Sequence, residues 1–316
     1  MEKLELNILF DWEAAGNPFF FRIYHHIYST LKFQKHLKVQ HIQPDYSNGA
    51  CMSCPGGRSN LQIINPQNQK TILMSFWDRG MDVFLLGLGW EDYNIVQYIG
   101  GLGMRMSSEE IFHNHGIKHQ PFQYPLGVKD ADLMINYSVQ KSQYSSVSPK
   151  QKAVFIGQRY GTREPMMDTF RKTEFIDVFE PSDGFSGQAY FDKLSEYSIV
   201  ISLNGNGEFC MRDLEGMGLG IPVVRSELKT QFHNKLVPGV HYLKGSEACE
   251  DAWHTYPGLS IKDVTDSFIS VIDKNLKDPS KLRGIGSMGQ IYYRNFANPA
   301  YISNLFIDLI DLNELV

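Results

Sequence analysis

The residues with chemical reach gather in two short loops. One is GNGE, made of Gly205, Asn206, Gly207 and Glu208, between the apolar run SIVISL and the segment FCMRDLEGM. Its glycines admit positive φ and let a ligand approach the backbone. The helix expected behind the loop offers free N–H groups and a positive dipole end, a setting that suits phosphate. The other loop is QRYGTRE, which follows VFIG and brings Gly157 together with Arg159 and Arg163. Two arginines at a strand end are placed to pair with a diphosphate, whose oxygens match the planar guanidinium fork. Both loops therefore suit recognition of a small phosphorylated ligand. Neither is a dinucleotide fingerprint or a P-loop: the third glycine of G-x-G-x-x-G falls at Cys210, and no Gly-Lys-Ser/Thr follows. The plainer reading is a βα turn that needs glycine and a surface loop that carries arginine. Two such loops at strand ends of one domain weigh against it.

The elements that must position these loops alternate regularly in the second half of the chain. KAVFIG, TEFIDVFEP, SIVISL and IPVVRS read as strands; PMMDTFRK, FDKLSEY and FCMRDLEGMGL read as helices between them. KDVTDSFISVIDKNLKD repeats Val264, Phe268, Val271, Ile272 and Leu276 at helical spacing. Alternation of this kind predicts a parallel, doubly wound sheet. In the first half LELNILFDW reads as a strand and FFFRIYHHIYSTLKF as a helix. NLQIINP and KTILMSFWD form two adjacent strands across the polar turn PQNQ, and DVFLLGLGW is a further strand-like run. The serine-rich stretch at 138–152 is the linker candidate, and ISNLFIDLIDLNELV ends the chain as an apolar helix. The expected fold is α/β with two Rossmann-like domains, 1–140 and 151–298, facing a cleft. Ligands would sit at the carboxyl ends of the strands.

Composition bounds the function. The chain has 316 residues, 42% hydrophobic and 21% charged, enough for two domains. A formal net charge of -5 leaves no broad basic field for a nucleic-acid backbone. The N-terminus carries acids within its apolar stretch and does not read as a signal peptide. The longest apolar run, MDVFLLGLGW, is too short to span a bilayer. The expected compartment is the cytoplasm, with no transmembrane segment. Cys51 and Cys54 form a C-x-x-C without a second pair or spaced histidines, which reads as structural or incidental.

On these residues the chain resembles a known family. LEGMGLGIPVVRS resembles the L-E-A-M-A-x-G-x-P-V-V-x-S segment of GT-B glycosyltransferases of the group-1 type, with exostosin-like features in its Gly-x-Gly and Arg-Asp/Leu arrangement. VFIGQRYGTR resembles the opening strand and phosphate loop of that family's C-terminal domain. FDKLSEYSIVISLNGNGE resembles the stretch leading to its donor-sugar loop. The match covers 153–243. It implies a GT-B fold in which the last helix, 299–316, crosses back onto the N-terminal domain. It also implies a nucleotide-sugar donor held by 151–298 and a glycan or other acceptor held by the first domain, with no obligatory metal or other cofactor. Glu215 matches the glutamate that holds the ribose hydroxyls, Arg159 the basic residue near the diphosphate, and Arg163 more loosely the lysine that follows. The acid that retaining members carry eight positions before that glutamate would fall on Gly207. Here the acid is Glu208, seven before. Arg212 and Asp213 are new to the pattern: they either pair with each other, or Arg212 reaches the pyrophosphate.

Glycosyl transfer needs stabilisation of the leaving diphosphate and, in an inverting enzyme, a base for the acceptor hydroxyl. Asp11 and Glu13 follow the first strand, and Asp78 follows another, flanked by Trp77 and Arg79. These three are the candidate bases; each has the alternative of a helix cap or a surface acid, and Asp78 is preferred because an aromatic neighbour suits a sugar face. Asp130 and Asp132 have the letters of D-x-D but precede LMINY rather than ending a strand. His113, His115 and His119 lack a partner acid, and His25 and His26 read as helix surface or packing. No metal site is expected. Two rivals share the donor site, a nucleotide-sugar epimerase of the same shape and a non-catalytic nucleotide-sugar or glycan-binding protein. A simple NAD dehydrogenase is disfavoured by the broken fingerprint.

Overall fold

The computed structural model describes residues 4–9, 25, 28–32, 37–42, 60–67, 71–75, 94–98, 119–122, 148–185, 187–205, 209–228, 234–249, 256 and 258–311. The chain divides into two compact units, one of Met1–Val128 with Ala297–Val316 and one of Lys129–Phe296.

The first unit is built on a six-stranded sheet of order β2-β1-β3-β4-β5-β6. Its strands are β1 (Leu4–Leu9), β2 (Leu37–Ile42), β3 (Asn60–Ile64), β4 (Thr71–Ser75), β5 (Asn94–Tyr98) and β6 (His119–Phe122). Leu6 and Ile8 of β1 and Ile63 of β3 are buried, as is Leu31 in the helical residues 28–32. The sheet is mixed rather than wholly parallel: β3 runs antiparallel to both β1 and β4. The cause is local. The link at 65–70 is far shorter than the dozen or so residues that a parallel crossover takes, so β3 and β4 must form a hairpin. Asn65 shapes it by accepting the Gln67 N–H at 3.0 Å through its side chain.

The second unit carries a five-stranded sheet of order β11-β10-β9-β7-β8, parallel throughout. These strands are β7 (Lys150–Ile156), β8 (Ile176–Phe179), β9 (Tyr197–Ile201), β10 (Val223–Ser226) and β11 (Leu243–Ser246). The second half of β7 and most of β9 are apolar, as befits strands covered on both faces: Ala153, Val154 and Phe155, and Ile199, Val200 and Ile201, are fully buried. The connections include α1 (Arg163–Phe170), α2 (Gln188–Ser195) and α3 (Met211–Gly218). After β11 come α4 (Ile261–Leu276) and α5 (Pro279–Tyr292), and α6 (Pro299–Asp311) belongs to the first unit. Ser260 starts α4 with a capping box, its hydroxyl accepting the Asp263 N–H. Val264, Phe268 and Ile272 bury one face of that helix. Phe268 packs so closely on β11 that a Cβ at Gly245 would fall 2.8 Å from its ring.

Candidate functional site

The chemically equipped residues of the second unit meet where β7 and β9 end. Gly157 follows β7, Arg163 opens α1, Gly205 lies beyond β9, and Cys210 is the N-cap of α3. Within α3, Arg212 and Glu215 are three residues apart and share a face, whereas Asp213, a third of a turn away, does not. That spacing assigns the helix two jobs, one facing the loops and one facing the sheet.

On the sheet side, Asp213 Oδ2 lies 2.9 Å from Arg225 Nη1 of β10, both side chains essentially without solvent contact. The same oxygen accepts the Cys210 N–H at 2.7 Å, which closes the first turn of α3. Phe209 and Tyr242 lie against the Arg225 guanidinium, with ring centroids 5.4 and 5.9 Å from it. Burial pushes the Asp213 carboxyl up from its ordinary pKa, with Arg225 opposing that shift. Asp213 is thus paired with Arg225 rather than with Arg212, so the anchoring pair runs from helix to strand.

On the loop side, the Arg212 guanidinium lies 4.6 Å from the centroid of the Phe155 ring and donates through Nη2 to the Ile156 carbonyl. Gly157 makes this possible: a Cβ there would stand 2.5 Å from Arg212 Nη2 and 2.9 Å from Phe155. Nε and Nη1 of Arg212 are occluded from solvent and make no hydrogen bond of normal geometry among the described residues, although the Tyr190 phenol lies near enough to interact with the guanidinium. Burial pulls its pKa down, but the neighbouring Tyr190, Cys210, Glu215 and Asp213 hold it above the ordinary value. Glu215, itself buried, accepts the Tyr190 hydroxyl at Oε2 over 2.6 Å. Burial first, and then Glu215, raises the Tyr190 phenol well above its ordinary pKa, so it stays protonated and donates.

The two arginines of the loop after β7 take different places. Arg163 is buried and fastens the loop beyond β9, donating from Nε to the Asn204 carbonyl and from Nη2 to the Leu203 carbonyl, each at 2.8 Å. Its plane lies 4.7 Å from the Tyr160 ring centroid, and burial lowers its pKa. Gly205 fits beneath, where a Cβ would be 3.1 Å from Arg163 Nη2. Arg159 instead points at acids of its own segment. It donates to Glu164 at 3.0 Å and to Asp168 at 2.8 and 2.9 Å, and these bonds raise its pKa.

Gly157, Arg163, Gly205, Arg212 and Glu215 are therefore brought together, and Arg159 is held by carboxylates beside them. Asn206, Gly207 and Glu208 lie outside the described residues, as do Asp11, Glu13, Asp78, Asp130, Asp132, His113, His115, Cys51 and Cys54. Tyr190, Phe155 and Arg225 emerge only from the structure. Arg225 had a legible signal, since a charge inside an apolar strand demands a partner. Tyr190 had none: it meets Glu215 across 25 positions of sequence. Among the described residues no group of three His, Cys, Asp or Glu side chains could hold a metal ion, and no helix is long and apolar enough to cross a membrane.

No protein-family model matches the sequence, and no curated protein matches it. Solved structures do resemble it. The Anabaena protein HepE, solved in complex with UDP and glucose, is 10% identical, with 97% of this chain and 99% of that one covered and a TM-score of 0.52. A sucrose-phosphate synthase from Thermosynechococcus elongatus is 12% identical over 88% of this chain and 68% of that one, with a TM-score of 0.44. The likeness to HepE is one of fold and runs nearly the length of both chains. It supports the α/β, GT-B type of architecture.

Proposed function

We propose that this protein is a glycosyltransferase that moves a sugar from a nucleotide-sugar donor to a hydroxyl of a glycan or other acceptor, in the cytoplasm and without an obligatory metal. The observation that carries this reading is the shared face of Arg212 and Glu215 at the carboxyl ends of β7 and β9. A carboxylate able to accept two hydroxyl hydrogen bonds stands there beside a cation suited to phosphate. The fold shared with a protein that was solved with UDP and glucose bound points the same way. In this reading residues 151–298 hold the donor and 1–140 the acceptor, with 299–316 as the returning helix. Gly157 and Gly205 make room at the strand ends for the Arg212 and Arg163 side chains, with Asn206, Gly207 and Glu208 nearest the donor sugar. Glu215 holds the ribose hydroxyls.

The reaction forms a bond between the acceptor oxygen and the anomeric carbon and breaks the bond from that carbon to the diphosphate. The nucleoside diphosphate leaves with the electron pair. A carboxylate takes the acceptor proton if the transfer inverts, with Asp78 the preferred base and Asp11 and Glu13 the others. The test is a thermal-shift screen of nucleoside diphosphates and nucleotide sugars, followed by an assay of free nucleoside diphosphate with and without acceptor sugars. At least one nucleotide should raise the melting temperature, and release should require the acceptor. A protein stabilised by none of them does not have this function.

A further inference from the structure

The chain carries a formal net charge of -5, yet no Asp or Glu occurs from Leu228 to Ser246 or from Pro279 to Ile307. The first stretch holds the loop that enters β11, and the second begins with α5. The two pack together: the Tyr292 hydroxyl donates to the Asn234 carbonyl at 2.6 Å, and the Tyr292 and His241 rings have centroids 5.1 Å apart. α5 turns Leu282, Ile285, Gly286, Gly289 and Tyr292 inward. At about 3.6 residues per turn its outward face is centred on Ile291, with Met288 a turn before and Arg283 and Lys281 on opposite flanks. Ile291 is 49% exposed and Met288 40%, and Val240 in the adjoining loop is 39% exposed. The neighbouring α4 is different, since it pairs Lys262 with Asp266 and Lys277 with Asp273. α5 contains no acid, and Asp278 before it is engaged as the N-cap, accepting the Lys281 N–H at 3.0 Å.

This face has the makeup of a surface-lying helix: an apolar centre, Lys and Arg at the margins, and no anion. Its charge decides what covers it. Two copies of the chain joined by this face about a two-fold axis would set cation against cation. Partner proteins are gripped by aromatic anchors seated in pockets, whereas Ile291 and Met288 stand on an outward ridge. An anionic bilayer meets both features at once. Its acyl boundary takes the aliphatic side chains, and its phosphates accept from Lys281 and Arg283 reaching sideways. We propose that the outward face of α5 docks the protein on an anionic lipid surface without spanning it. Few large apolar side chains are offered, so the attachment is reversible and salt-sensitive. α5 lies at the amino end of β10: a Cβ at Gly286 would fall 3.1 Å from Pro222 Cδ, and Gln290 donates to the Gly218 carbonyl at 3.1 Å. The candidate site is at the carboxyl ends of the same parallel sheet, so docking leaves it uncovered.

The experiment is co-sedimentation of the full-length protein with vesicles of phosphatidylcholine alone and of phosphatidylcholine mixed equally with phosphatidylglycerol, each at about 0.15 M and about 1 M salt. It compares wild type with three double variants: Lys281→Gln with Arg283→Gln, Met288→Ser with Ile291→Ser, and Lys262→Gln with Lys277→Gln. The last removes two ion-paired lysines of α4 and serves as the control. Wild type should bind the anionic vesicles, release them at high salt and ignore the neutral ones. Loss of the two α5 cations should weaken the partition about 10- to 30-fold, near the worth of two cations at such a surface. Loss of the two apolar side chains should weaken it about 10-fold. The control should stay within about threefold of wild type. All three variants change exposed residues, so each should melt with wild type and keep its nucleotide affinity.

Equal binding to neutral and anionic vesicles, or undiminished binding of either α5 variant, overturns the assignment. So does a loss in the control as large as that from the α5 cations, which marks a general effect of charge. Failure of wild type to bind anionic vesicles overturns it as well, and retention on immobilised polyglutamate instead assigns the face to an acidic protein. Sedimentation velocity without lipid tests the remaining occupant: a dimer that Met288→Ser with Ile291→Ser dissociates assigns the face to a second copy and overturns lipid docking. None of these outcomes bears on the donor site, which is read separately by titration with nucleotides.

Discussion

Glu215 has a hydrogen-bond partner of its own in Tyr190, and that competition sets what its replacement should do. A ribose diol that bonds to Oε2 competes there with the phenol, whose oxygen lies 2.6 Å away. Glu215→Ala should therefore weaken nucleoside diphosphate binding by about 10-fold or more, since hydrogen bonds to charged groups are worth about 1.5–3 kcal/mol. Tyr190→Phe should tighten it a few-fold by removing the competitor. Titration calorimetry separates the two, and a Tyr190→Phe protein that binds more weakly would show the phenol touching the ligand instead. At this scale the sequence was half legible. Glu215 stood out because it lies in a recognisable segment with its own neighbours. The phenol that meets it comes from another helix, and no local pattern announces a contact of that range.

The helix α3 owes its position to two features on its sheet side. Gly216 brings it so near β10 that a Cβ would fall 2.5 Å from Val223 Cγ2. The buried Asp213–Arg225 pair then fixes its rotation. Removing one partner leaves a lone buried charge, so Arg225→Met should destabilise the protein by about 3–5 kcal/mol. Adding Asp213→Leu should recover much of that, because an apolar pair of similar volume is often neutral or better. Urea denaturation of the two single variants and the double variant gives the coupling. Additive losses would mean that the charges do not depend on each other. The regular helices with clear apolar periodicity, such as α4, were readable in advance, but α5 was not. Gly284, Gly286 and Gly289 depress its helix propensity. Gly286 and Gly289 are there for contact, since Cβ atoms would fall 2.3 Å from the Gly220 carbonyl and 3.0 Å from that of His241. β2 and β11 escaped for a related reason: LKVQHI and LKGS lack the apolar runs that mark buried strands.

Across the whole molecule, the two units differ in how far the sequence foretold them. The parallel sheet of the second follows from the alternation of strands and helices. The mixed sheet of the first depends on one short turn that makes β3 and β4 antiparallel, and β5 and β6 are short segments with polar residues among them. The division of labour proposed for the units has a kinetic signature. Asp78→Asn should lower kcat by at least about 100-fold, the scale of general base catalysis, with donor Kd within twofold of wild type. Glu215→Ala should raise the donor Kd. Steady-state rates at saturating donor, set beside binding measurements, check this. A full kcat in the Asp78 variant moves the base to Asp11 or Glu13.

The buried pair of Asp213 and Arg225 also constrains descent. Each residue is tolerable only while the other is present, so a lineage that lost either alone would pass through a protein with a stranded charge at its core. The two positions are therefore expected to change in concert among descendants of this sequence, by a double replacement or by none. Surface pairs such as Lys262 and Asp266 are free to drift one residue at a time.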